Sequence, residues 1–242
     1  MEARSLPSTL LAIAQSRSVD EVSRLVVEAF VDHAAGRRVE LWLVGRGDRC
    51  AECRWRTTCP NQERCLHLAA NRGEPPGEGE ALAASGATPG RLPLGEGDVG
   101  RAAETGEALC RQVAQGDAGA AMRTLAVQPL VLHGDVLGVL AFYDSGAVDD
   151  GQVEHMRTVA DHAAVAISHA WAFEGIDSLR ARVEAENVQL HEEFRDLFDE
   201  APIAYVHEGL DSRLIRANRT ALKTLGIESG ELAGIFGSSL VA

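Results

Sequence analysis

Cys50, Cys53, Cys59 and Cys65 fall within sixteen consecutive residues of a 242-residue chain that holds five cysteines in all. Thiolates are soft ligands, and a Cys-x2-Cys pair followed closely by two more cysteines supplies the four sulfurs a metal centre takes. Three chemistries fit. The four could ligate an iron–sulfur cluster, and the Cys59-Pro60 step is like that of some ferredoxin sites. They could hold a structural zinc ion, although many such sites use two Cys-x2-Cys pairs and this chain has one. They could also be free or redox-paired thiols. Arg49, Arg54, Arg56 and Arg64 interleave with the cysteines, and their charge would offset that of bound thiolates and lower thiol pKa values. The plainer role for these arginines is to keep a solvated loop soluble. Trp55 would either shield the site from water or anchor the loop in the core. His67 is an alternative ligand by residue type, though its place in a strand favours packing or a surface position. Cys110 stands apart and reads as a small buried hydrophobe.

The rest of the composition narrows the function. A formal net charge of −13 argues against a nucleic-acid-binding or anionic-membrane surface, which needs clustered positive charge. Near the start, the apolar run Leu10–Ala14 is too short for a signal peptide. No run approaches the roughly 18 apolar residues of a membrane span. The chain is expected to be cytoplasmic, where thiols stay reduced and paired cysteines more often hold metal than form disulfides.

The elements that must position the cysteines follow from hydrophobic periodicity. Val22, Leu25, Val26, Ala29 and Phe30 form a helical stripe over residues 19–35, with Asp20 and Glu21 at the positive end of its dipole and Gly36 as a stop. Val39–Val44 alternates as a strand, the cysteine loop follows, and Leu66–Ala70 reads as a second strand. Residues 73–90 are rich in Gly, Pro, Glu and Ala and read as a mobile loop. Leu94–Ala103 is a turn opening a short helix. Strands at 125–132 and 136–143 are joined compactly through His133-Gly134-Asp135, and residues 149–197 are helical almost throughout.

This order resembles a GAF domain. The residues carrying the resemblance are Leu92-Pro93-Leu94-Gly95-Glu96-Gly97 through Gly100, and Gln128-Pro129-Leu130-Val131-Leu132-His133-Gly134-Asp135-Val136-Leu137-Gly138-Val139-Leu140. The cysteine stretch ending in Cys65-Leu66-His67-Leu68 is similar to a cysteine-bearing bacterial subgroup of that family. The resemblance covers about residues 5–172 and implies an α+β fold: a central antiparallel sheet with flanking helices on one face and, often, a small ligand on the other. Arg111 after Cys110 replaces the histidine common beside bilin-attaching cysteines, which argues against a covalent chromophore. No cyclic-nucleotide signature is present.

The tail, Phe194–Ile203 and Leu214–Leu222, resembles the opening of a PAS domain, with some 40 residues present against roughly 100 for a domain of ordinary size. Such a segment is expected to pack poorly. The expected organisation is a GAF-like sensory domain over 1–172, a coiled-coil signalling linker over 173–198 and a truncated PAS-like domain over 199–242. In the linker Ile176, Val183, Leu190 and Leu197 recur every seven residues with Leu179 between them, while Glu186 and Glu193 weaken the seam. This reads as a parallel homodimer contact, the plainer alternative being an amphipathic linker. Continuing the register backwards reaches His155, His162 and His169, spaced about 10.5 Å apart along a helix and so unable to share one metal within a chain. In a dimer each could face its twin. On the flank of a helix they would face solvent.

No phosphate loop, nucleophile elbow, kinase or helix-turn-helix signature occurs, and no enzyme activity is expected. The expected function is the sensory input region of a bacterial signalling protein, a histidine kinase or transcriptional activator whose output domain is not in this chain. It would sense redox state or a gas through the four-cysteine site. The alternative is a structural module in which zinc staples a long loop while the GAF and PAS parts dimerise. The occupant of any GAF small-molecule pocket cannot be named from the residues.

Overall fold

Along strand β1 (Arg37–Arg46) the side chains alternate in what they meet. Val39, Leu41 and Leu43 are buried in one apolar cluster and Trp42 in another, so β1 is a central strand with both faces covered. The computed structural model describes residues 5–30, 37–53, 55–73, 90–112, 124–228 and 235–237. Two compact units divide the chain, Met1–Gly175 and Ile176–Ala242.

In the first unit β1 joins β2 (Arg64–Gly73), β3 (Arg91–Pro93), β4 (Leu109–Gln112), β5 (Thr124–Leu132) and β6 (Asp135–Asp144) in a six-stranded antiparallel sheet of order β3-β2-β1-β6-β5-β4. Leu132 pairs with Asp135, so β5 and β6 are joined by the two residues His133 and Gly134, whose φ values of 53° and 91° suit a twist-matched hairpin turn. Helices α1 (Leu6–Gln15), α2 (Val19–Glu28) and the first part of α4 (Asp150–Glu200) cover one face. Ile13, Val22, Leu25 and Val26 meet Met156, Val159, Ala163, Ala164 and Ile167 over Leu41, Leu130, Leu140 and Phe142. The small side chains of α4 let it lie close to its neighbours. Asp149 and Gln152 open α4 reciprocally: each side chain accepts the other's backbone N–H, at 2.7 and 2.9 Å. On the other face α3 (Gly97–Thr105) sets Val99, Ala102 and Ala103 against Trp42, Leu66, Val127 and Val139. Glu40 is buried on this side and uses both oxygens, accepting from Arg38 Nε at 2.6 Å and from Trp42 Nε1 at 2.9 Å.

The expected α+β architecture is therefore present. Helix α2 ends at Glu28 and Ala29 and Phe30 follow as a turn, while positions 31–35 of the expected stripe and 74–89 of the Gly- and Pro-rich stretch lie outside the described residues. Helix α1 and the short strands β3 and β4 were not expected. Of the three histidines on this register, His155 rests edge-on against Phe30 with ring centroids 5.0 Å apart, His162 donates from Nδ1 to the Thr158 carbonyl at 2.8 Å, and His169 is exposed.

In the second unit α4 runs on to Glu200, followed by the hairpin of β7 (Val206–Glu208) and β8 (Leu214–Ala217) and by α5 (Arg219–Leu225). Arg216 stacks over Phe194 and Phe198 at 5.2 and 4.8 Å from the ring centroids. Among the described residues of this unit the buried side chains are Leu214, Ala217, Asn218 and Ala221. Ile203, Tyr205, Leu210 and Ile215 are exposed. No described helix is long and apolar enough to cross a membrane.

Candidate metal centre in the β1–β2 loop

The cysteine loop leaves the sheet where Gly45 pairs with Cys65 and Arg46 with Arg64. Its neck is closed by the Gly47 N–H, which donates to the Glu63 carbonyl at 2.8 Å. A Cβ on Gly47 would stand 1.9 Å from the Gln62 carbonyl oxygen and 2.7 Å from Cys50 Sγ, so only glycine fits this crossing. Beyond the neck the backbone bonds to itself in successive turns. Arg49 accepts from Glu52, Cys53 from Arg56, and Trp55 from both Thr58 and Cys59 at 3.0 and 2.7 Å. Asn61 then turns the chain back, its Oδ1 accepting from the Glu63 N–H at 2.8 Å.

The turns bring all four predicted cysteines to one place. Cys50, Cys53, Cys59 and Cys65 line a small hollow of about 20 Å³ together with Arg56, Asn61, Gln62, Arg91, Leu92 and Pro93. Cys50 Sγ donates to the Gln62 carbonyl at 3.1 Å and Cys59 Sγ to the Asn61 carbonyl at 3.2 Å. Burial pushes the Cys65 thiol up to about 11, so its proton is released at neutral pH only to a strong competitor such as a metal ion. Among the described residues no three His, Cys, Asp or Glu side chains are gathered as for a single bound ion.

Two residues of the site carried no signal in the spacing of the cysteines. Arg91 of β3 makes a two-pronged ion pair with Asp48 of the loop, Nε to Oδ1 at 3.0 Å and Nη2 to Oδ2 at 2.8 Å. These bonds hold the Asp48 carboxyl well below the usual carboxylate range, against the opposing effect of burial. Of the arginines expected to balance the thiolates, Arg56 lines the hollow, Arg49 and Arg64 are not among the described lining residues, and Arg54 lies outside the described residues. Trp55 is half-buried. His67 lies beside the site and not on its wall: Nε2 is 2.9 Å from the Arg46 carbonyl, and burial, then the Arg91 charge, hold its pKa below the ordinary value. Cys110 is exposed on edge strand β4, not buried, because the side chains of that strand from Cys110 onward face outward.

Residues 18–167 match the family model described as GAF domain, and the chain belongs to that family. Among solved structures, the GAF domain of the Acinetobacter phosphoenolpyruvate-protein phosphotransferase is 18% identical with a TM-score of 0.50, covering 69% of this chain and 92% of its own. The corresponding GAF domain from Coxiella burnetii is 17% identical with a TM-score of 0.48, over 70% and 94%. The free methionine-R-sulfoxide reductase of Neisseria meningitidis, in complex with its substrate, is 17% identical with a TM-score of 0.47, over 69% and 88%. No curated protein matches the chain. At these identities the likeness is one of fold. GAF domains are commonly sensory or regulatory modules, and a specific function rests on the chemistry of the site itself.

Proposed function

We propose that the chain is a non-catalytic sensory input module in which Cys50, Cys53, Cys59 and Cys65 hold an iron–sulfur cluster and report redox state or a gas. The observation that supports this reading is the convergence of four thiols from one loop and one strand on a single hollow lined also by two guanidinium groups. The donor set fits: four sulfurs and no carboxylate on the wall. Zinc, which takes four thiolates at about 2.3 Å, is the alternative occupant of the same donor set. Such a group would supply one-electron chemistry or lability towards oxidants. The chain's own residues bind it by giving up thiol protons, including those now shared with the Gln62 and Asn61 carbonyls.

Leu92 and Pro93 line the hollow and belong to the strand that leads into α3, which gives any rearrangement of the loop a covalent route into the domain. Onward transmission would pass along α4, where Ile176, Leu179, Val183 and Leu190 are each about half exposed or more and repeat as a dimer seam requires. In this reading residues 199–242 begin a PAS domain, the assembly is a homodimer through α4, and the site is cytoplasmic.

Anaerobic purification followed by iron, sulfide and zinc analysis and an absorption spectrum tests the proposal. Iron and sulfide bound together, and lost in Cys53→Ser and Cys59→Ser, are expected. Stoichiometric zinc without iron overturns the cluster and selects the zinc-stapled dimerisation module, whose cysteine variants would lose thermal stability directly.

A further inference from the structure

Among the described residues, Arg91 is the one basic residue from outside the cysteine loop that lines the hollow with the four cysteines. It sits on β3, its cross-strand partner is His67, and Pro93, two positions on, pairs with Cys65. Arg91 lines the hollow, whereas Asp48, which grips it from the loop, is not among the lining residues, although the charges of both act on Cys65, Arg91 the more strongly. The guanidinium is fixed further by a bond from Nη1 to the Gly90 carbonyl at 3.1 Å, and its side chain is only 19% exposed.

We infer that Arg91, held in place by Asp48, is the positioning and charge-balancing residue of the four-thiolate site, setting how tightly a metal group is held and at what potential it is reduced. The inference rests on the metal reading above. Four thiolates carry more negative charge than one zinc ion or one cluster brings positive, and the excess is costly where solvent is partly excluded. A guanidinium stays protonated under all working conditions and can donate to sulfur or hold the loop by its rigid fork. Charge on Cys53 and Cys65 in turn favours the charged form of Arg91, after the larger effect of its bonds to Asp48. Arg56, the other cation on the wall, belongs to the loop itself. Arg91 ties the loop to the sheet, and its separation of 43 positions from Asp48 makes it a tertiary clamp.

The test compares the full chain with Arg91→Gln, Arg91→Met and Arg91→Lys, each reduced and metal-free at the start. Zinc affinity is read by competition with a chromogenic chelator, and the midpoint potential is read on anaerobically iron-loaded protein. The neutral variants are expected to bind zinc about tenfold more weakly or worse, the usual effect of removing a partner that supports metal ligands. Their midpoint is expected to fall, because a nearby cation favours the electron-richer state. Arg91→Lys should recover a large part of both effects, which a purely structural role would not produce. Should Arg91→Gln not fold, Arg91→Met, with a stem of similar length, carries the comparison, and if only zinc loads, affinity and lysine rescue decide. Unchanged affinity in the neutral variants overturns the inference alone, as does a loss that lysine does not restore. A wild-type chain that holds no more zinc or iron than the Cys53→Ser/Cys59→Ser double variant overturns the metal reading and the inference with it.

Discussion

Gly100 lies so close to Pro93 that a Cβ on it would stand 2.6 Å from the Pro93 carbonyl oxygen. Pro93 is on the wall of the sulfur hollow, and Gly100 is buried in α3. The Gly95 N–H donates to the Gly100 carbonyl at 2.8 Å, which closes the turn between β3 and α3. The site and the helix over the opposite sheet face therefore meet through main chain, with no side chain between them to absorb a displacement.

That contact predicts the effect of the smallest substitution. Gly100→Ala must push backbone apart, and overpacking of this kind costs about 1–3 kcal/mol. Urea unfolding of the metal-free chain measures it. Stability within about 0.5 kcal/mol of wild type, in the range of an ordinary surface change, would show that the contact yields freely.

His67 gives the metal-free chain a pH dependence with a definite sign. Its pKa is lowered from 6.5 in the fold, so the folded state favours the neutral ring. Its stabilising effect is complete above 6.5 and is lost as pH falls from there towards the folded value, because the unfolded chain then binds the extra proton. In chelator-treated protein, wild type should therefore lose more stability than His67→Gln between about pH 7 and pH 5. Parallel pH profiles for the two chains would refute this.

The parts of the fold legible in the sequence are those written in local pattern. The β5–β6 hairpin is visible because two alternating runs flank His133 and Gly134, and α4 because its periodicity persists for dozens of residues. Strands β3 and β4, at three and four residues, are too short to show a period, and exist because β2 and β5 offer them edges. The same contrast runs through the site. Four cysteines announce themselves by type and spacing, whereas the Asp48–Arg91 pair needs both the β2–β3 register that places Arg91 and the loop path that brings Asp48 to it. Arg91 stands immediately before the Leu92-Pro93-Leu94 segment of the GAF resemblance, and only pairing that segment with Cys65–His67 would have pointed to it. Cys110 was misread because burial of cysteine is a statistical habit and an edge strand does not enforce it.

If α4 pairs with a second copy, Val183→Glu combined with Leu190→Glu should weaken the dimer at least about 100-fold, since each side chain contributes about 1.5 kcal/mol or more when buried and a carboxylate in a seam is repelled by its twin. Sedimentation equilibrium across a concentration series reads this directly. A wild-type chain that stays monomeric at high micromolar concentration would leave α4 as a solvated linker.

In the second unit the sharpest prediction concerns Asn218, fully buried at the start of α5. Its Oδ1 accepts from the Tyr205 and Ala221 N–H groups, both at 2.9 Å, and its Nδ2 donates to the Ile203 carbonyl at 2.8 Å. One side chain thus caps the helix and ties it to the chain entering β7. Asn218→Ala leaves the buried Ala221 N–H without its partner, at a cost of about 1–3 kcal/mol, and adds the loss of two part-buried bonds to Tyr205 and Ile203. In a unit with so few buried side chains that loss should unfold it. Hydrogen exchange should show lost protection across residues 203–225 with the strands of the first unit unchanged. Protection retained in α5 would mean that Asn218 is replaceable by solvent.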